Sequence, residues 1–277
     1  MREENDMTEE QKSLQWLSRI LDILRKECPW DSVQTIDSLR YLTIEEVYEL
    51  SDAIVRGRRE DMKKELGDLF MHLLFYSKIA EDEGAFTTSD VLDGICEKLI
   101  SRHPHISLPD REGVMHPAVN DTTPQWEQVK MKEGRKSVLE GVPADLPTLV
   151  KAIRLQEKAG GYGFEFNNTA DAYDKVREEY DEFRQALEER RQDDSQTEKH
   201  AEEELGDLLF AIVKWARFEG INADTALSRT NQKFMFRFAH VEQCAKARGC
   251  RVSDLTLEEM EHYWNEAKNL PASNETD

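Results

Sequence analysis

The sequence predicts an all-α protein made of two copies of one helical-bundle domain, and three observations carry that prediction. Leu, Glu, Ala, Lys and Arg dominate the 277 residues, and only 13 glycines and 8 prolines interrupt them, which favours helix over sheet. Glu65-Leu66-Gly67-Asp68-Leu69 recurs as Glu204-Leu205-Gly206-Asp207-Leu208. Apolar residues follow each block at helical spacing: Leu66, Leu69, Leu73 and Leu74 in the first half, Leu205, Leu208, Leu209, Ile212 and Val213 in the second.

The duplication extends beyond those blocks. Upstream of each lies an acidic segment, Glu45-Glu46-Val47-Tyr48-Glu49 in the first half and Glu178-Glu179-Tyr180-Asp181-Glu182 in the second. Downstream, Glu97-Lys98-Leu99-Ile100-Ser101-Arg102 matches Gln232-Lys233-Phe234-Met235-Phe236-Arg237, and each half closes on a tryptophan, Trp126 or Trp264. Four features in one order make chance similarity improbable. The expected organisation is a domain over residues 1–135, a turn-rich linker over 136–147, a second domain over 148–268 and a frayed tail over 269–277. Each half should hold four or five helices packed as a bundle without a sheet. A loop from Ser107 to Pro124 interrupts the first, and Gly160-Gly161-Tyr162-Gly163 makes a turn in the second.

Charge excludes several functions. Against 37 basic residues stand 57 acidic ones, a net charge of −20, which repels nucleic-acid backbones and anionic lipid. The first ten residues lack the basic-then-apolar order of a signal peptide, and no stretch reaches the roughly 20 apolar residues of a membrane span. Cys28, Cys96, Cys244 and Cys250 form no CxxC pair. Reduced thiols in a cytoplasmic protein are the expectation.

The acidic blocks carry the chemistry. Residues three or four apart share a helix face, so Glu179 projects with Glu182, and Glu204 with Asp207. Glu178 stands at the edge of the group. If the two helices pack antiparallel, four carboxylates meet. Like charges about 4 Å apart repel by roughly 1 kcal/mol in water and about 4 kcal/mol near a protein surface, so the group calls for a cation. Oxygen donors without Cys or His suit Mg²⁺, with Mn²⁺ as a substitute. The glycine of each ELGD block would let the helices approach closely beside the acidic cluster. Taken alone, EExxE in so acidic a chain reads as a solvated helix face; its repetition with ELGD and an apolar helix reverses that reading. Lys233 and Arg237 form a compact basic pair fit for phosphate, with i,i+4 surface salt bridges as the plainer reading. Trp264 suits stacking on a base or a place in the core.

EExxE, a spacer and ExxD, together with Cys28-Pro29-Trp30-Asp31, Arg102-His103-Pro104-His105 and the doubled ELGD, resemble the MazG family of nucleoside triphosphate pyrophosphohydrolases in its tandem form, over about residues 14 to 268. The resemblance implies Mg²⁺-dependent hydrolysis of an NTP or dNTP to NMP and pyrophosphate, a homodimer, and a house-cleaning or nucleotide-pool role. It implies Glu179, Glu182, Glu204 and Asp207 as metal ligands, with Lys175, Lys233 and Arg237 on phosphates, Asn231 assisting and Trp264 by the nucleoside. In tandem members the second domain carries the principal activity. Here the first half has Leu42 where the second has Lys175, and Cys96 where it has Asn231. It keeps Glu45, Glu46, Glu49, Glu65, Asp68, Lys98, Arg102 and Trp126, a second site that can bind metal without turning over. Tandem members often carry a Lys four residues before the second ELGD; this chain has His200, with Lys199 adjacent, which could make that contact pH-dependent.

Glu178 and Glu179 are both candidates to accept the proton of the attacking water. Two rivals come from other classes. One is a noncatalytic nucleotide-sensing or partner-binding protein on the same fold. The other is a di-iron bundle, which needs two Glu-x-x-His motifs where this chain has one, Glu259 to His262, outside the acidic blocks.

Overall fold

A computed structural model describes residues 7–118, 137–190 and 196–270. The chain divides into two compact units, Met1–Trp126 and Glu127–Asp277. In the first unit the helices are α1 (Glu9–Glu27), α2 (Ile36–Arg56), α3 (Arg59–Asp82) and α4 (Thr88–Arg102). The second holds α5 (Thr148–Gly160), α6 (Thr169–Arg190), α7 (Gln196–Phe218), α8 (Ala223–Ala247) and α9 (Leu257–Ala267). The all-α expectation holds, with one local exception. Inside the Ser107–Pro124 loop, Leu108–Pro109 (β1) pairs antiparallel with Met115–His116 (β2). Asp110, whose Oδ1 accepts the Glu112 and Val114 amides, closes that tight turn.

Local sequence sets the helix ends. Thr8, Thr35, Thr87 and Thr256 each cap a following helix, and in every case the side chain three residues on bonds back to the threonine amide. These capping boxes satisfy backbone donors that the first turn leaves open. Gly57 ends α2 in the left-handed region (φ 72°), where a side chain would be strained, and so allows the immediate reversal into α3.

The first core is Leu21 of α1, Leu39 of α2, and Leu74, Phe75 and Ile79 of α3. Arg25 ties its edge together. Its guanidinium donates to the Asp31 and Gln34 carbonyls at 3.0 and 2.9 Å and pairs with Asp82 at 2.9 Å, so one side chain anchors the α1–α2 loop and the end of α3. Beneath the acidic blocks, Thr43 Oγ1 meets His72 Nδ1 at 3.0 Å and the Tyr76 hydroxyl at 2.7 Å. His72 is buried, and burial holds its imidazole below the usual histidine value.

In the second unit α6 and α7 pack along their length. α5 lies against α7 through an unusual contact: the buried Gln156 amide donates to the Phe210 carbonyl at 2.8 Å. Lys158, also buried, donates to the carbonyls of Val138 and Glu140. The Gly160–Gly163 segment does more than turn. A Cβ on Gly160 would lie 2.6 Å from Glu165 Oε2, and Glu165 reaches the buried Lys214 at 2.5 Å and also Arg217. Val241, Ala245 and Leu255 form a small core that seats α9, with Met260, Tyr263 and Trp264 around it.

The predicted apolar stripes are only partly interior. Leu74, Leu208 and Val213 are buried, whereas Leu73, Leu205, Leu209 and Ile212 are exposed. Each stripe is wider than one neighbouring helix can cover, so one edge faces out. Among the described residues no helix is long and apolar enough to cross a membrane.

Leu39→Ala should cost unit 1 about 2–5 kcal/mol, because a 1% exposed side chain at the α1/α2/α3 junction leaves a cavity. Urea denaturation followed by circular dichroism checks this; a loss below about 1 kcal/mol would mean the core is not organised around that residue.

Candidate functional site

Two acidic groups form, one in each unit, and each sits where a helix hairpin brings two blocks face to face. In unit 1, ligand oxygens of Glu46 and Glu49 from α2 and Glu65 from α3 lie within 4.8 Å of one another. Burial pushes the Glu46 carboxyl above its ordinary value, and Asp68, Glu49, Glu65 and Glu45 push it further. Glu65 is raised in the same way, by burial and then by Glu49 and Asp68. In unit 2 the trio is Glu179 from α6 with Glu204 and Asp207 from α7. Glu179 is only 7% exposed. Glu182 stands one turn along α6 beside Glu179, its carboxyl raised by burial and by that neighbour.

Of the four carboxylates expected to meet, three group tightly in each unit, and the grouped three differ between units. Counter-charge differs too. In unit 2, Lys175 sits between Glu179 and Glu178 at 2.8 and 2.9 Å, and these bonds hold its ammonium well above the usual lysine range. Leu42 occupies the corresponding place in unit 1. There the cation comes from the hairpin turn: Arg58 pairs with Asp61 at 2.9 Å and Asp52 at 3.2 Å. These three residues were missed in the sequence. They border an open cleft of about 550 Å³ with Glu45, Glu49 and Glu65. The signal was available, since Asp52 falls three residues after Glu49 and Asp61 four before Glu65, on the same helix faces.

Other expected site residues lie elsewhere. His200 touches Glu204, Nδ1 to Oε1 at 3.4 Å, at the margin of the trio. Asn231 and Lys233 are exposed on α8, and no hydrogen bond or ion pair joins them or Arg237 to the carboxylates among the described residues. Arg237 instead lies over the Trp264 ring, 5.5 Å from its centroid, and Phe234 packs edge-on to the same ring at 5.0 Å. That platform joins α8 to α9. In α4, Lys98 is exposed and Arg102 half-buried. Trp126 lies outside the described residues.

One expectation is corrected. Gly67 and Gly206 do not mark a close helix contact within the chain: both are exposed, and a Cβ on either would meet nothing within 4 Å. Their Cα atoms turn away from the hairpin partner because the flanking Glu65 and Asp68, or Glu204 and Asp207, take the inward face. The single Glu-x-x-His pair also finds a structural use. Glu259 caps α9 through the Thr256 amide and pairs with Arg248 at 2.7 Å.

Two all-α bundles, each with carboxylates from two consecutive helices gathered into one group, define the class of protein. The MazG nucleotide pyrophosphohydrolase domain matches twice, over residues 34–107 and 169–242, and the chain belongs to that family. Both matches span one hairpin and its acidic group. The chain is 36% identical over 266 residues to the nucleoside triphosphate pyrophosphohydrolase of Escherichia coli (strain K12), covering 91% of this chain and 97% of that one. It is 37% identical over 257 residues to the nucleoside triphosphate pyrophosphohydrolase/pyrophosphatase MazG of Thermotoga maritima, covering 91% and 94%. A Bacillus subtilis protein, YabN, is 42% identical over 244 residues, which is 87% of this chain but 48% of that longer protein.

Glu46, Glu65 and Glu182 set a pH dependence. A carboxyl raised in the folded state favours folding below its unfolded value, and that contribution is lost as pH rises through the folded one. Without divalent cations, wild type should therefore gain thermal stability from neutral pH down toward about pH 5 relative to Glu46→Gln/Glu182→Gln. Asp90, Asp254 and Glu259, whose values are lowered, act oppositely and only at more acid pH. Calorimetric melting midpoints of the two proteins across pH 5–8 test this. Parallel curves would show that the carboxyls do not repel one another as described.

Proposed function

We propose that this chain hydrolyses nucleoside triphosphates between the α- and β-phosphates, releasing NMP and pyrophosphate, with Mg²⁺ held in the second unit by Glu179, Glu182, Glu204 and Asp207. The observation that carries this reading is the Glu179–Glu204–Asp207 group with Lys175 beside it. The donor set fits the ion. All are carboxylate oxygens, they come from both helices of one hairpin, and Glu182 is raised by burial and by the neighbouring Glu179 carboxylate. The names of the E. coli and T. maritima relatives support the substrate and the bond broken.

When bound, the metal supplies Lewis-acid charge at the scissile phosphate. The chain's own residues do the rest. Lys175 clamps Glu178 and Glu179, which fixes both carboxylates on α6 before substrate arrives. Glu179, buried in the trio, serves as ligand, so the exposed Glu178 is left to accept the proton of the attacking water. His200, 3.4 Å from Glu204, offers a donor at the rim of the same group, and Lys233, Arg237 and Asn231 present positive and polar groups from α8 to the departing phosphates. Trp264, already stacked under Arg237, offers a face to the base.

Unit 1 keeps the carboxylates but lacks a lysine at position 42, and its Arg58 is engaged by two aspartates. It is assigned metal binding without a main share of turnover. A homodimer accounts for the outward apolar edges: Phe70 and Leu73 on α3, and Leu205, Leu209 and Phe210 on α7, are each 40–60% exposed. The open faces of Gly67 and Gly206 border these edges and leave room for a second copy's helices.

Asp207→Asn should lower kcat at least about 100-fold with the fold intact, while Asp68→Asn leaves more than half the activity. Ion-exchange analysis of products from NTPs and dNTPs with Mg²⁺ decides this. NDP and phosphate as products, or full activity in Asp207→Asn, would overturn the assignment; no turnover on any nucleotide favours a sensing role. Light scattering after size exclusion should return twice the chain mass, and Leu209→Glu should reduce it toward one. A monomeric wild type would remove the homodimer.

A further inference from the structure

A second side-chain cluster lies on helices that carry none of the carboxylates above. His240 and Cys244 stand one turn apart on α8, and His262 and Glu266 one turn apart on α9. His240 Nε2 is 3.4 Å from Glu266 Oε2 and 3.5 Å from Cys244 Sγ, and the three atoms lie within 4.8 Å of one another. The other Glu266 oxygen, Oε1, meets His262 Nε2 at 3.3 Å. We propose that His240, Cys244 and Glu266 form a tetrahedral transition-metal site suited to Zn²⁺, with His262 orienting the carboxylate and the fourth position left to water.

The distances are those of ligands around an ion. Zn–N of about 2.0–2.1 Å and Zn–O of about 2.0–2.2 Å at tetrahedral angles put nitrogen and oxygen about 3.3–3.5 Å apart. With Zn–S of about 2.3 Å, nitrogen and sulfur come about 3.5–3.6 Å apart. Both observed edges match. As an N–H···O hydrogen bond, 3.4 Å is poor, since good ones span about 2.7–3.2 Å. One imidazole nitrogen faces a thiol and a carboxylate together, and a cation satisfies all three at once. The donor set separates this ion from Mg²⁺: a thiolate and an imidazole are too soft for the one and suit the other. Glu266 also has what a metal-binding carboxylate needs, a donor on its second oxygen.

The site's place gives it a role. α9 is a single short helix seated on α8 by Val241, Ala245 and Leu255, a core of small and medium side chains. It carries Trp264, whose ring packs on Phe234 and Arg237 of α8. A metal bridging Cys244 and His240 to Glu266 pins α9 one turn from that platform and so fixes the tryptophan.

The test uses the full chain, stripped by chelator and titrated with Zn²⁺ in excess Mg²⁺, so that the carboxylate clusters are already filled. Calorimetry should find one Zn²⁺ site per chain beyond them. Co²⁺ in its place should give the strong visible absorption of a tetrahedral ion and a near-ultraviolet thiolate-to-metal band. Cys244→Ser should abolish that band and weaken Zn²⁺ at least about 100-fold, and His262→Ala, an exposed and structurally mild change, should weaken it about 10- to 100-fold while keeping the band. A pale octahedral Co²⁺ spectrum, or Zn²⁺ binding unchanged in Cys244→Ser, would overturn the site. Unchanged affinity in His262→Ala would remove His262 from it.

Discussion

Repulsion between carboxylates on facing helices is the constraint around which both units are arranged. Each hairpin buries part of a glutamate pair on its first helix against a glutamate–aspartate pair on its second. Like charges so placed repel one another. A helix hairpin held only by those faces would open. The cost is offset from below: Leu39, Leu74 and Phe75 in unit 1, and Ala172, Ala186 and Leu208 in unit 2, close the interface under the charges.

The units meet that constraint with different cations. Lys175 lies on the first helix one turn before the glutamates it neutralises, so its charge is within the site itself. Arg58 lies at the hairpin turn and is shared between Asp52 and Asp61, so its charge is spent on the rim. Beneath the groups the interiors diverge as well. Thr43, His72 and Tyr76 link by hydrogen bonds in unit 1, where unit 2 has Val176, Ala211 and Trp215. A polar network specifies one arrangement of its hairpin; in unit 2 Trp215 turns its Nε1–H to Glu219 instead.

Unit 2 also carries chemistry on a second pair of helices. The α8–α9 contact joins a cation–aromatic platform at one end to a histidine, cysteine and glutamate group beside it. Neither depends on the carboxylate hairpin for its geometry. Two helix pairs in one bundle therefore each gather a cluster of polar side chains.

The sequence alone determined the fold class, the duplication and the acidic blocks from which the groups are drawn. All three rest on local rules: capping residues, apolar period, and the spacing that puts Glu179 with Glu182 or Glu204 with Asp207 on one face. The tertiary structure alone decided which three carboxylates come closest, which cation serves them, and which way the ELGD glycines face. Those depend on the rotation of one helix against another, and a single helix's periodicity does not contain that angle. The apolar stripes after each ELGD block show the same limit, since spacing marks Leu208 and Leu209 alike while packing buries the first and exposes the second. His240, Cys244, His262 and Glu266 complete the point: each pair's spacing was legible, but only the docking of α9 on α8 brings the pairs together.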